Sequence, residues 1–263
     1  MAAPDLIGSA GLIIVSAATR SDPLYDFTAP DGIQHTVWRI ADPARYVTAL
    51  SATPYFYVAD GHHRAASAWR AAAERKKQNP QHNGDEEYNW FLTVLFPASE
   101  LRILAYNRIV RELNGHSVAD VRDALAAVGQ LTPTQTKIPA EAGSFCVYLN
   151  GEWLMVTIPP SSIDSNDPIE SLDVALLEKR VLNPIFGIDD VRTDPRIDFV
   201  GGIRGTRELE TLVDSGEWAC AFSMYPTSIE QLMSVADAGE VMPPKSTWFE
   251  PKLRSGLFVH ELG

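Results

Sequence analysis

Cysteine is nearly absent: Cys146 and Cys220 are the two in 263 residues, and both sit inside apolar, strand-like runs. Two sulfurs cannot build a disulfide framework or a thiolate zinc centre. Apolar neighbours raise rather than lower a thiol pKa, so both are expected in the core, and a reducing cytoplasm is the expected compartment. Long apolar runs are missing too. The strongest near the start, Leu12-Ile13-Ile14-Val15, is far too short to span a bilayer and follows no basic stretch of the signal-peptide kind, so no membrane partner is expected. Positive charge is scarce: 22 Lys and Arg stand against 34 Asp and Glu, a formal charge of −12. That balance repels a phosphate backbone unless the cations cluster, so bulk nucleic-acid binding is not expected. Gly and Pro are too few for a collagen-like or mucin-like chain, and 45% apolar residues suit a globular protein. The length lies between one large domain and two ordinary ones.

Strand and helix signals alternate along the chain. Residues 34–40 alternate around Val37, Trp38 and Ile40 and read as a strand, after which Asp42-Pro43 opens a short helix. Residues 55–59, aromatic and β-branched, predict a short buried strand ending at Asp60. Residues 62–77 are Ala-rich and end in Arg75-Lys76-Lys77, which suits the negative end of a helix dipole. A polar loop over 78–87 is expected to lead into a core strand over 88–96. Ser117 caps a helix to about Val128, and Asn150-Gly151 marks a hairpin between 145–149 and 153–158. A connector over 159–168 precedes a helix over 171–182. A glycine turn at 201–205, helices near 206–215 and 227–237, and a strand over 218–224 complete the reading. The expected fold is α+β, mixed sheets flanked by helices. One lobe spans 1–115; a C-terminal α+β lobe over 116–263 closes the cleft. The abrupt start before an apolar strand and the polar turn 19–23 leads us to expect a preceding segment.

The chemistry concentrates in Asp60-Gly61-His62-His63-Arg64. A strand running through one glycine into a helix leaves the first backbone N–H groups without acceptors, and the helix dipole adds roughly half a positive charge there. Glycine lets an anion reach the backbone, guanidinium forks onto phosphate oxygens, and imidazole donates or relays protons near neutral pH. A structural alternative stays open: the histidines and Asp60 cap the helix, and Arg64 pairs with an acidic neighbour. A zinc site on His62 and His63 is disfavoured, because adjacent helical side chains diverge and no third ligand lies at metal spacing.

This turn, together with Leu104-Ala105-Tyr106-Asn107-Arg108, the block from Asp194 to Gly205 and the block from Met242 to Leu253, resembles the domain-of-unknown-function 1015 family, specifically its C-terminal two-thirds. More distantly, Gly61-His62-His63-Arg64 is similar to the phosphate-binding turn of the ParB and sulfiredoxin superfamily, which includes free-serine kinases. The resemblance implies a nucleotide-dependent phosphotransferase acting on a small hydroxylated metabolite, free serine being the favoured example. ATP or ADP would lie on residues 61–64 with Mg²⁺ held by Asp60. Asp60, His62 and His63 are the catalytic candidates, the two histidines not separable, and no residue here matches the acidic base of the kinase relatives. The competing implication is a regulatory module that binds nucleotide or phosphate without transferring it.

Gly201-Gly202-Ile203-Arg204-Gly205 is a second glycine turn entering a helix, and with Lys245, Ser246 and Lys252 of the proline-rimmed tail it forms a candidate second anion or substrate site. Its structural alternative is a tight turn with an Arg204–Asp198 pair, and Trp248 and Phe249 in the core. The blocks 194–205 and 242–256 are expected to close over the first turn. Arg108 faces that cleft or makes an ordinary surface ion pair. Ser67 lacks the glycine elbow of a nucleophile. Acceptor, donor nucleotide and oligomeric state are not legible.

Overall fold

A computed structural model describes residues 2–3 and 19–262. The strand expected at 12–15 lies outside the described residues. The chain divides into two compact units, 1–101 with 251–263, and 102–250.

In the first unit β1 (Ala2–Ala3) pairs in parallel with β4 (Phe96–Pro97), and β2 (Tyr25–Thr28) pairs antiparallel with β3 (Gln34–Val37). The Asp26 carboxylate ties that hairpin, accepting from Gln34 Nε2 at 2.8 Å and Thr36 Oγ1 at 3.1 Å. Helix α1 (Ala44–Ser51) starts where expected, the Asp42 carboxylate accepting the Ala44 N–H at 3.0 Å. Helix α2 (His62–Gln78) carries Arg75, Lys76 and Lys77 in its last turn, as the dipole favours.

Two expected strands shrink. Over 55–59 only Tyr57 joins a bridge, and it is buried while Tyr55 and Val58 face outward. Over 88–96 the chain enters a 3₁₀ turn (Glu87–Asn89) instead. The Glu86 carboxylate gathers the Asn83 and Gly84 N–H groups at 2.8 and 3.0 Å and Asn89 Nδ2 at 2.9 Å, which locks the loop in a turn. Trp90, Phe91 and Leu92 beyond it are exposed. Apolar content alone does not make a strand without an edge to pair with.

The second unit is a layered α+β body. Strands β5 (Arg102–Leu104), β6 (Tyr106–Val110), β7 (Gln130–Pro133), β8 (Ser144–Leu149), β9 (Glu152–Thr157), β10 (Ile197–Gly201), β11 (Cys220–Met224) and β12 (Trp248–Glu250) alternate with helices α3 (Val118–Val128), α4 (Asp173–Leu177), α5 (Asn183–Phe186), α6 (Gly205–Asp214) and α7 (Ile229–Asp237). Six strands form one antiparallel sheet in the order β10-β6-β11-β8-β9-β7, and β12 pairs with β5. The period of two decides which face each residue serves. Phe145, Val147 and Leu149 of β8 enter the larger core with Val121, Leu125, Phe186, Phe222 and Val235. Cys146 and Tyr148 face the opposite core with Leu209 and Val213 of α6. Helices therefore cover both sheet faces, the arrangement expected from the sequence.

Local signals account for most boundaries. Ser117 caps α3 in a capping box, its hydroxyl accepting the Asp120 N–H at 3.2 Å while the Asp120 carboxylate accepts the Ser117 N–H at 2.9 Å. Asn150 and Gly151, at φ 51° and 81°, make the tight β8–β9 turn, which needs positive φ at both positions. The helix expected over 171–182 is less regular: α4 passes through a π-helical turn (Glu178–Leu182) into α5. Pro184 has no N–H to return to the preceding turn, and the helix widens just before it.

Candidate functional site

Tyr57 leads to Asp60 and then to Gly61, whose φ of 89° is the left-handed conformation a Cβ resists. Asp60 does not cap α2 as the structural alternative supposed. Its Oδ1 accepts the N–H of Gly61 at 2.8 Å, and Gly61 itself is the cap residue, with no side-chain cap bond. The first intrahelical bond runs from the Ala65 N–H to the Gly61 carbonyl at 2.9 Å. The amides of His62, His63 and Arg64 thus have no intrahelical acceptor, and all three residues are exposed.

Arg64 folds back over the turn. A Cβ built on Gly61 would lie 2.8 Å from Arg64 Nη2, so the glycine is what lets the guanidinium lie there. Arg64 Nη2 is 3.9 Å from Asp60 Oδ2, and Lys252 Nζ is 3.6 Å from the same oxygen. Lys252, grouped by sequence with the second glycine turn, thus stands at the first. The rings of His62 and His63 do not diverge as expected; their centroids are 4.2 Å apart. Among the described residues no group of three or more His, Cys, Asp or Glu is arranged to hold a metal ion. Both oxygens of Asp60 are engaged, Oδ1 by the Gly61 amide and Oδ2 facing Arg64 and Lys252, so a Mg²⁺ on this carboxylate would have to displace those cations.

The other members of the second candidate site lie in the second unit. Gly201 and Gly202 serve packing: a Cβ on Gly201 would fall 2.5 Å from Trp248 Cζ3, and one on Gly202 2.8 Å from the Ala105 carbonyl oxygen. Arg204 pairs with Glu208 at 3.3 Å rather than with Asp198. Ser246 is buried, its hydroxyl donating to the Pro243 carbonyl at 2.6 Å. Lys245, at φ 55°, holds its ammonium 5.4 Å from the Tyr106 ring centroid. Phe249 is buried and Trp248 lies against Gly201.

Arg108 makes no surface ion pair. It is 3% exposed, stacked 5.4 Å from the Phe199 centroid, and donates to the carbonyls of Tyr106 and Lys245. Burial pushes its pKa down to about 10, opposed by the charge of Glu178. Sequence reasoning also missed a recess of about 350 Å³ lined by Lys137, Tyr148, Trp153 and Glu210 among others. There Lys137 Nζ and Trp153 Nε1 both donate to Glu210 Oε1, at 2.6 and 2.7 Å, and hold that carboxyl below the usual range. Its residues come from β8, β9, α6 and the loop after β7, and no local motif announces it.

The family model described as "Protein of unknown function (DUF1015)" matches residues 9–175, more than half of the chain. Among curated proteins no match is found. Among solved structures, a free serine kinase in complex with AMP is similar at 12% identity and a TM-score of 0.39, over 91% of this chain and 78% of that one. A point mutant of a free serine kinase with AMP gives 13% identity and a TM-score of 0.38 over 73% of this chain. The chain spans 66% of the length of that structure, less than two thirds. A conserved hypothetical protein from Pyrococcus furiosus gives 15% identity and a TM-score of 0.39, over 76% and 72%. At such scores the likenesses carry no argument about chemistry. No helix among the described residues is long and apolar enough to cross a membrane.

Proposed function

The chain belongs to the DUF1015 family, and we propose that it is a nucleotide-dependent phosphotransferase acting on a small hydroxylated metabolite, with free serine as the acceptor that the resemblance of its turn implies. One observation carries the reading: three amides without an intrahelical acceptor, on exposed residues at the start of a 17-residue helix behind a left-handed glycine, with a guanidinium folded back over that glycine. AMP and ADP are what the free serine kinase structures contain; for this chain the reading stands on the turn.

In this reading the terminal phosphates of ATP or ADP accept from the amides of residues 62–64, and Arg64 forks onto their oxygens. Phosphoryl transfer needs little covalent help from a protein, and its catalysis is mostly positioning and charge stabilisation. Asp60 would hold Mg²⁺ or orient the acceptor hydroxyl, and His62 or His63 would donate to the transferring group. Bound Mg²⁺ would neutralise phosphate charge.

The test is consumption of ATP or ADP by the purified chain with and without L-serine, followed by phosphoserine formation. Serine-dependent turnover lost in Asp60→Asn is the expected result. Saturable nucleotide binding with no turnover under any hydroxylated acceptor would contradict transfer and leave a binding module.

A further inference from the structure

Apolar side chains divide unevenly between the two units. Among the described residues, every buried apolar residue except Tyr57 belongs to the second unit, and helix α2 of the first buries none of its 17 residues. The large apolar side chains left exposed show the reverse: all but Ile138, Ile203 and Val241 belong to the first unit. Removing such surface from water is what drives association, so this unit has much to gain from being covered.

Three of the exposed stretches lie side by side. The Tyr25 ring of β2 meets the Phe258 ring at 6.4 Å between centroids, with Leu24 next to it in the chain. Val259 precedes His260, whose Nε2 lies 2.9 Å from Glu87 Oε2. The Glu87 carbonyl in turn accepts the Trp90 N–H at 3.1 Å, and Trp90 opens the exposed run Trp90-Phe91-Leu92. Apolar groups of the tail and of this run thus flank one ion pair.

The rings of Tyr25, Trp90, Phe91 and Phe258 are 46–61% exposed. At ~150–250 Å² per ring they leave on the order of 400 Å² in water, and Leu24, Leu92 and Val259 add on the order of 200 Å². The largest apolar patch on a monomer is roughly 300–600 Å², and a standard interface takes about 800 Å² from each partner. The face is therefore at the upper limit for surface left in water and, with a polar rim, near the size of one half of a dimer interface. Charge selects the approach. The second unit carries 22 acidic against 12 basic residues and repels its own kind, whereas the first carries 12 against 10. Two copies meet with least repulsion through their first units, where this face lies.

We propose that the face formed by Leu24, Tyr25, residues 90–92, Phe258 and Val259 is where a second copy of this chain docks, like face to like face about a two-fold axis. Such a patch is covered once two copies have met, so the assembly closes there. The proposal does not rest on the phosphate reading of the turn.

Sedimentation equilibrium of the full chain over about 1 to 100 µM reads the assembly. The unsubstituted chain is expected to sediment as a dimer that dissociates on dilution. Phe91→Glu and Val259→Glu weaken self-association by at least about 30-fold, because each enters the interface twice and brings a charge into it. Trp90→Ala, which only removes area, weakens it by about 10-fold or more. Val241→Glu, at an exposed apolar position of the second unit, leaves it unchanged. The substituted side chains are all exposed, so no core is emptied, and circular dichroism checks that each variant folds. A chain that stays monomeric over the whole range overturns the proposal. A dimer left intact by Phe91→Glu, Val259→Glu and Trp90→Ala overturns it too, because the contact then lies elsewhere. Association that runs on past two copies overturns the closed two-fold pairing.

Discussion

Lys252 places its ammonium 3.6 Å from the carboxylate of Asp60, the residue that opens the Gly61 turn. The contact joins the tail to the motif proposed to bind phosphate, and it makes Asp60 a counter-ion shared by Arg64 and Lys252.

Gly61→Ala puts a Cβ at φ 89° and 2.8 Å from Arg64 Nη2. The left-handed conformation costs an alanine about 1 kcal/mol, and the guanidinium must leave its seat. Chemical denaturation is expected to show that loss, and calorimetry a weaker affinity for phosphate.

Ser117→Ala removes one half of the α3 capping box. Unfolding of the second unit by urea is expected to show a loss of about 1 kcal/mol, with phosphate affinity unchanged, because Ser117 and the turn lie in different units.

Asp173 is buried, and burial pushes its pKa up to about 6 from 3.8, against the hydrogen bond it accepts from the Gly143 N–H at 2.6 Å. A carboxyl with a raised folded pKa binds protons more readily folded than unfolded. Its ionisation therefore destabilises the fold above about 6, and the penalty fades as pH falls toward 3.8. Stability measured against pH is expected to shift in favour of the unsubstituted chain, relative to Asp173→Asn, as pH drops through this window.

Both thiols are fully buried, and burial raises them, Cys146 to about 11. A thiol-reactive chromophore is expected to label neither cysteine in the folded protein and both after denaturation. Fast labelling of the folded chain would mean the sheet opens readily.

What the sequence made legible is what neighbouring residues decide. The Ser117 cap, the Asn150-Gly151 turn, the Gly61 bend and the sheltered cysteines are local matters of backbone freedom and side-chain reach. What it hid is set by partners far along the chain. Residues 88–96 read as a strand because they are apolar, yet Glu86 gathers the loop before them into a turn. Arg108 read as a surface or cleft residue, and its burial depends on Phe199 and on the Lys245 carbonyl. Gly201 and Gly202 read as an anion cradle, whereas they make room for Trp248 and for the Ala105 carbonyl. Lys252 stood nearest the second turn in sequence logic, and only tertiary folding brings it to Asp60.

The measurement that bears most directly on the turn is calorimetric titration of inorganic phosphate and ADP into the unsubstituted chain and into Arg64→Ala. Saturable binding that weakens by about 10- to 100-fold in the variant, the loss of a hydrogen bond to a charged group, is the expected result. Equal binding by the two proteins, or none by either, would contradict the assignment of this bend to phosphate.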